Sequence, residues 1–143
     1  MPAASKSSAA TIIPSLRYRN APAAIEWLCR AFGFEKHMVH AEGEVVHHAQ
    51  LTFGNGMIML GSVDQTSAWG QRMVQPDEVG GRATQCCCVI VADADAHQAR
   101  ALAAGAVIVD ALEEKDYGGK GYSCRDPEGH LWWFGTYDPW QSA

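Results

Sequence analysis

Four groups of side chains in this sequence have types and spacings suited to chemistry. Two adjacent histidines, His47 and His48, lie in "VVHHAQLTF". Three adjacent cysteines, Cys86, Cys87 and Cys88, open "CCCVIV". Arg17 sits in "PSLRYR" and Arg125 ends "GYSCR". Two adjacent tryptophans, Trp132 and Trp133, close "RDPEGHLWW". A histidine titrates near neutrality, so His48 is a candidate general base. Cys86 is a candidate nucleophile wherever a cation lowers its pKa, although the sequence identifies no such partner. Arginine forks suit an anionic or carbonyl-rich ligand. An indole offers a flat π face and one N–H donor. His37, His40, His47 and His48 are rich in metal-binding nitrogen, but their alternation does not converge them on one face.

The elements that would position these groups follow from alternation, because successive strand residues point to opposite faces. In "VVHHAQLTF", Val45, His47, Ala49, Leu51 and Phe53 form a mostly apolar face that should pack on a helix. Val46, His48, Gln50 and Thr52 form the other, which should face a cavity or solvent. In "PSLRYR", Ser15, Arg17 and Arg19 oppose Leu16 and Tyr18. In "GYSCR", Ser123 and Arg125 oppose Tyr122 and Cys124. Trp132 and Trp133 must point opposite ways.

These strands belong to an internal repeat. "IPSLRYRNAPAAIEWLCRAFGFEKHMV" and "QCCCVIVADADAHQARALAAGAVIVDAL" each read as strand, break, amphipathic helix, glycine, strand. Pro22 suits a first helical turn, Asp93 or Asp95 suits a cap, and Gly33 and Gly105 suit left-handed helix ends. "QLTFGNGMIMLG" parallels "SCRDPEGHLWWFG" around two turns. The pattern predicts strands over 11–19, 34–41, 44–53, 57–63, 84–92, 106–112, 120–125 and 130–137, with helices over 22–32 and 95–104. The fold class is α+β: two β-α-β-β-β modules with mixed sheets. Module one covers 11–63, a linker 64–82, module two 83–137 and a tail 138–143.

Bulk properties agree with one globular domain. The chain has 143 residues, 48% hydrophobic and 19% charged, with a net charge of −5. Acidity without a basic run speaks against nucleic acid. No apolar run approaches the ~20 residues of a membrane span. The start, "MPAASKSSAA", lacks the apolar core of a signal peptide and reads as a disordered leader over 1–10, which makes a cytoplasmic location the expectation. Five cysteines without framework spacing argue for reduced thiols.

The doubled pattern resembles the vicinal oxygen chelate superfamily, whose members include glyoxalase I, bleomycin resistance proteins and extradiol dioxygenases. The resemblance is carried by "IIPSLRYRNAPAAIEWLCRAFGFE", "FGNGMIML", "DADAHQARALAAGAVIV" and "YGGKGYSCRDPEGHLWWFGTY", from Thr11 to Tyr137. It implies two sheets that face each other around a ligand cavity, and a homodimer. Metal-using members carry ligands near the start of each module's first strand and on each last strand. Mapped onto this chain, those positions fall on Ile13, Leu60, Cys86 (with Gln85 beside it) and Trp133. Isoleucine, leucine and tryptophan supply no metal ligand.

The resemblance therefore implies a small organic ligand held between the modules, no metal, and no nucleic-acid or membrane partner. The lining would include Ser15, Arg17, His48, Gln50 and Thr52 from module one, joined by Leu60. Cys86, Tyr122, Ser123, Arg125 and Trp133 would come from module two. Two alternatives stay open. One is a metal-dependent lyase, isomerase or dioxygenase that uses a divalent ion. The other is a structural dimerisation module whose cavity is filled by Leu60 and Trp133. The loop "KDYGGKGYS" is read either as a mobile flap or as a plain hairpin.

Overall fold

A computed structural model describes residues 9–141. The expected leader lies outside the described residues except for Ala9 and Ala10, and Ala10 N–H donates to Asn55 O at 2.9 Å. Of the tail, Ser142 and Ala143 also lie outside them.

Module one runs β1 (Ser15–Tyr18), α1 (Ala21–Phe32), β2 (Glu35–Glu42), β3 (Val45–Phe53) and β4 (Gly56–Ser62). Module two repeats the order as β5 (Cys87–Ile90), α2 (Ala94–Ala103), β6 (Val107–Glu114), β7 (Lys120–Arg125) and β8 (Leu131–Gly135). The fold is α+β, as expected. The chain divides into compact units between Val74 and Gln75. Short 3₁₀ turns at Gly70–Arg72 and Pro76–Val79 lie on either side of that division.

Each helix begins and ends where its punctuation requires. Asn20 caps α1 by accepting from Ala23 N–H at 3.2 Å, and Pro22 occupies the first turn. Gly33, at φ 92°, ends α1 in the left-handed conformation. Asp93 caps α2 by accepting from Ala96 N–H at 3.0 Å.

The two sheets share one topology, β1-β4-β3-β2 and β5-β8-β7-β6. β1 runs parallel to β4 and β5 parallel to β8, while the other pairs are antiparallel. β1 and β5 are shorter than expected because each is an edge strand whose ladder has one partner. The opposite edges, β2 and β6, each carry two register irregularities.

One face of each sheet packs on its helix. In module one, α1 packs on β1, β3 and β4, and Tyr18, Ala49, Leu51, Ile58 and Leu60 of the strands and Ile25, Leu28 and Phe32 of α1 are all buried. In module two, Tyr122, Cys124, Trp132 and Phe134 form the buried face beside Ala94 and Ala101 of α2. Trp132 and Phe134 stack with centroids 6.0 Å apart and planes 9° apart. Burying such rings is the largest apolar contribution in the module, about 1.5–3 kcal/mol per fully buried side chain.

Candidate functional site

The faces turned away from the helices carry the residues of chemical interest. In module two the register forms one row across four strands: Cys88 of β5, Trp133 of β8, Ser123 of β7 and Asp110 of β6. Ser123 Oγ donates to Asp110 Oδ2 at 2.5 Å and accepts from Asp110 N–H at 3.1 Å. Ser123 is thereby satisfied although buried. The next row contains Ile90, Gly135 and Gly121. A Cβ on Gly121 would lie 2.5 Å from Trp133 Cζ2, and one on Gly135 would lie 2.3 Å from Trp133 Cη2. The Trp133 indole therefore rests against the bare backbone of two glycines on adjacent strands.

Arg125 lies on the same face, as expected, and its Nη1 donates to Gly129 O at 3.0 Å across the "DPEG" turn. Asp126 organises that turn. Its Oδ1 accepts from the N–H groups of Glu128 at 3.1 Å and His130 at 3.0 Å, and its Oδ2 accepts from Trp132 Nε1 at 3.1 Å. The "KDYGGKGYS" segment is a hairpin tied to the end of β8. Lys115 N–H donates to Gly119 O at 2.8 Å, Lys120 N–H donates to Thr136 Oγ1 at 2.9 Å, and Tyr117 packs edge-on against Tyr137.

In module one the corresponding face carries Ser15, Arg17, His48, Gln50, Thr52, Met57 and Met59. Arg17 lies over Gly61, where a Cβ would come 2.6 Å from Nη1, and Nη1 donates to Ser62 O at 3.2 Å. Gln50 Nε2 lies 3.1 Å from His48 Nε2, so the amide donates to the ring nitrogen.

Two expected site residues stand elsewhere. Leu60 pairs with Ala49 and Leu16 on the helix side and is 2% exposed. Equal counting from Gly56 and Gly129 fails because the two turns differ in length. Two residues separate Phe53 from its partner Gly56, whereas three separate Asp126 from His130, whose O accepts the Asp126 N–H. One extra residue flips every side chain to the other face. Met59 is thus the counterpart of Trp133. Tyr122 is also in the core, 0% exposed, with its hydroxyl 2.6 Å from His97 Nδ1. Burial raises its pKa well above that of an ordinary phenol. Cys86 is exposed just before β5. Burial first, and then Cys86, raise the pKa of Cys88.

Sequence reasoning missed Met59, Gly61, Cys88, Asp110, Gly121 and Gly135. The available signal was Gly135, two residues after Trp133 in "WWFG". It shows a close approach only once the strand partners are known.

The metal positions implied by the resemblance do not fit a divalent ion. After the register correction they hold Ile13, Met59, Cys86 and Trp133. Among the described residues, no group of three or more His, Cys, Asp or Glu side chains converges on a metal-sized space. The strand histidines are engaged separately: His47 Nε2 lies 2.7 Å from Glu42 Oε1, and His48 meets Gln50.

The order of the elements, repeated in both modules, can now be set beside known proteins. The profile described as Glyoxalase/Bleomycin resistance protein/Dioxygenase superfamily matches residues 10–134. This chain belongs to that superfamily. Uncharacterized protein Mb0911c of Mycobacterium bovis is 31% identical over 124 residues, which is 85% of this chain and 80% of that protein. Uncharacterized protein Rv0887c of Mycobacterium tuberculosis is also 31% identical over 124 residues, 71% of its length. Among solved structures, TioX from Micromonospora sp. ML1 is 31% identical with a TM-score of 0.68, covering 88% of this chain and 97% of TioX. A superfamily member from Sphaerobacter thermophilus shares the fold at 15% identity, with a TM-score of 0.65 over 88% of this chain and 97% of its own. Among the described residues, no helix of this superfamily member is long and apolar enough to cross a membrane.

Proposed function

We propose that this glyoxalase-superfamily protein binds a small planar organic molecule by stacking it on Trp133, without a divalent metal. The observation that carries this reading is the glycine-backed indole. Gly121 and Gly135 support one side of the ring, which leaves the other side for a flat ligand. Trp133 is half-buried, so such a ligand would be partly desolvated there. Arg125, on the same face of module two, suits carboxylate or carbonyl oxygens. His48 already shares its Nε2 with Gln50, which fits a binding role better than an unencumbered base. The alternative of a cavity filled by Leu60 loses its argument, because Leu60 packs on the helix side. A homodimer remains part of the proposal through the family resemblance, and light scattering tests it.

The test is a fluorescence and thermal-shift titration with planar aromatic carboxylates and their uncharged analogues. The expected result is binding that weakens about 10-fold or more in Trp133→Ala, from the lost stacking and buried area. Unchanged affinity in Trp133→Ala would overturn the reading. So would near-stoichiometric nickel, zinc, iron or manganese in protein purified without chelator, because the superfamily's metal-dependent enzymes would then become the better assignment.

A further inference from the structure

Trp133 has charged neighbours on its own face of the sheet, and Ser123 is their common reference. Ser123 is the Cα partner of Trp133 on β8 and of Asp110 on β6. Each therefore stands about 5 Å from it at Cβ, on opposite flanks. Arg125 follows Ser123 by two residues on β7. It shares the face and lies about 6.7 Å along the strand. Diagonal neighbours of this kind are about 7–8 Å apart, within reach of long side chains. An acid, a base and an indole are thus gathered around one serine.

The two charges are held in place without neutralising one another. Ser123 Oγ donates to Asp110 Oδ2 at 2.5 Å. That uses one of about four acceptor positions on the carboxylate, and Asp110 is exposed. Arg125 Nη1 donates to Gly129 O at 3.0 Å, which uses one of several guanidinium N–H donors. Among the described residues, no ion pair engages Asp110 or Arg125. Glu113, a second acid on this face, differs. It is the Cα partner of Gly121 and is already engaged by Lys115 Nζ at 3.1 Å.

We propose that the planar ligand of this site is a zwitterion, an aromatic ring carrying a protonated amine for Asp110 and a carboxylate for Arg125. This assignment deepens, and rests on, the stacking of a planar ligand on Trp133. A ligand with a carboxylate alone would meet Arg125 but face the like charge of Asp110. One with an amine alone would meet Asp110 but face Arg125. Like charges brought together cost affinity, so a single charge loses on one side what it gains on the other. A ring with both poles matches both residues. Its carboxylate suits the planar guanidinium fork. Its ammonium donates to carboxylate oxygen and is also attracted to an indole face.

The experiment is isothermal titration calorimetry of the full chain with four naphthalenes. One bears an aminomethyl group and a carboxylate at opposite ends. Two bear one of these groups each, and the last bears a hydroxymethyl group and no charge. The zwitterion should bind about 5-fold or more tightly than either singly charged ring. In Asp110→Asn its advantage over the carboxylate should vanish. In Arg125→Gln its advantage over the amine should vanish. Equal binding of the zwitterion and either singly charged ring by the parent, or an advantage that survives both substitutions, would overturn the proposal. Should a variant fail to fold, the four affinities of the parent decide alone. The uncharged ring separates this assignment from the stacking on which it rests. If that ring loses affinity in Trp133→Ala while the charged series is flat in the parent, stacking stands and the zwitterion falls. If its affinity does not depend on Trp133, both fall.

Discussion

Gly121→Ala provides the sharpest test of how Trp133 is seated. The new Cβ would fall 2.5 Å from Trp133 Cζ2, 2.8 Å from Cε2 and 3.0 Å from Nε1, and no other group lies as near. Carbon atoms rest about 3.5–4.0 Å apart, so the indole must retreat by roughly 1 Å. Overpacking of this kind costs about 1–3 kcal/mol. With Trp133→Ala in the background, the obstruction is gone. Alanine should then exceed glycine in a strand interior by about 0.5–1 kcal/mol. The effect of Gly121→Ala should therefore reverse sign between the two backgrounds. Urea denaturation of the parent, both single variants and the double variant closes the cycle. Melting temperatures should follow at about 2–4 °C per kcal/mol for a chain of this size. An equal cost in both backgrounds would show that the indole does not rest on Gly121. The stacking surface inferred from that arrangement would fall with it.

The remaining predictions concern the turn and the thiols. Asp126→Ala removes the acceptor of three N–H groups, one of them the indole of buried Trp132. It should cost about 3 kcal/mol by urea denaturation, more than Asp126→Asn, and a loss below about 1 kcal/mol would contradict the assigned network. Burial raises Cys87 to about 11 and, helped by Asp126, Cys124 to about 12, against 9.0 for an ordinary thiol. The native state holds these protons more tightly than the unfolded chain does. The resulting stability is complete below 9.0 and is lost as pH rises from 9.0 through about 11 and 12. Urea midpoints taken across that interval should fall, and a flat profile would show that the two thiols are not withdrawn from water. In the same fold, Tyr122→Phe removes the hydroxyl beside His97 Nδ1. It should cost about 0.5–1.5 kcal/mol, and a stabilised variant would count against that hydrogen bond.

Much of the fold was legible in the chain because its signals are local. Asn20-Ala21-Pro22, Asp93, Gly33 and Gly105 mark helix ends through backbone chemistry that acts within a few residues. The repeat then orders the strands, and alternation alone places Arg17, His48, Gln50, Thr52 and Arg125 away from the helices. The same rule assigns Trp132 to the core and Trp133 to the other side. Leu60 was misplaced because its face depends on the length of a turn. The single extra residue in "DPEG" relative to "GNG" is visible in sequence, but its effect on pairing is not. The glycine bed under Trp133 joins residues from β7 and β8, and the Ser123–Asp110 pair joins β7 and β6. Such contacts exist only after strands are set side by side. Sequence therefore determined which residues could share a face. Tertiary pairing decided which of them touch, because register is fixed jointly by turn geometry and by burial of the face opposite.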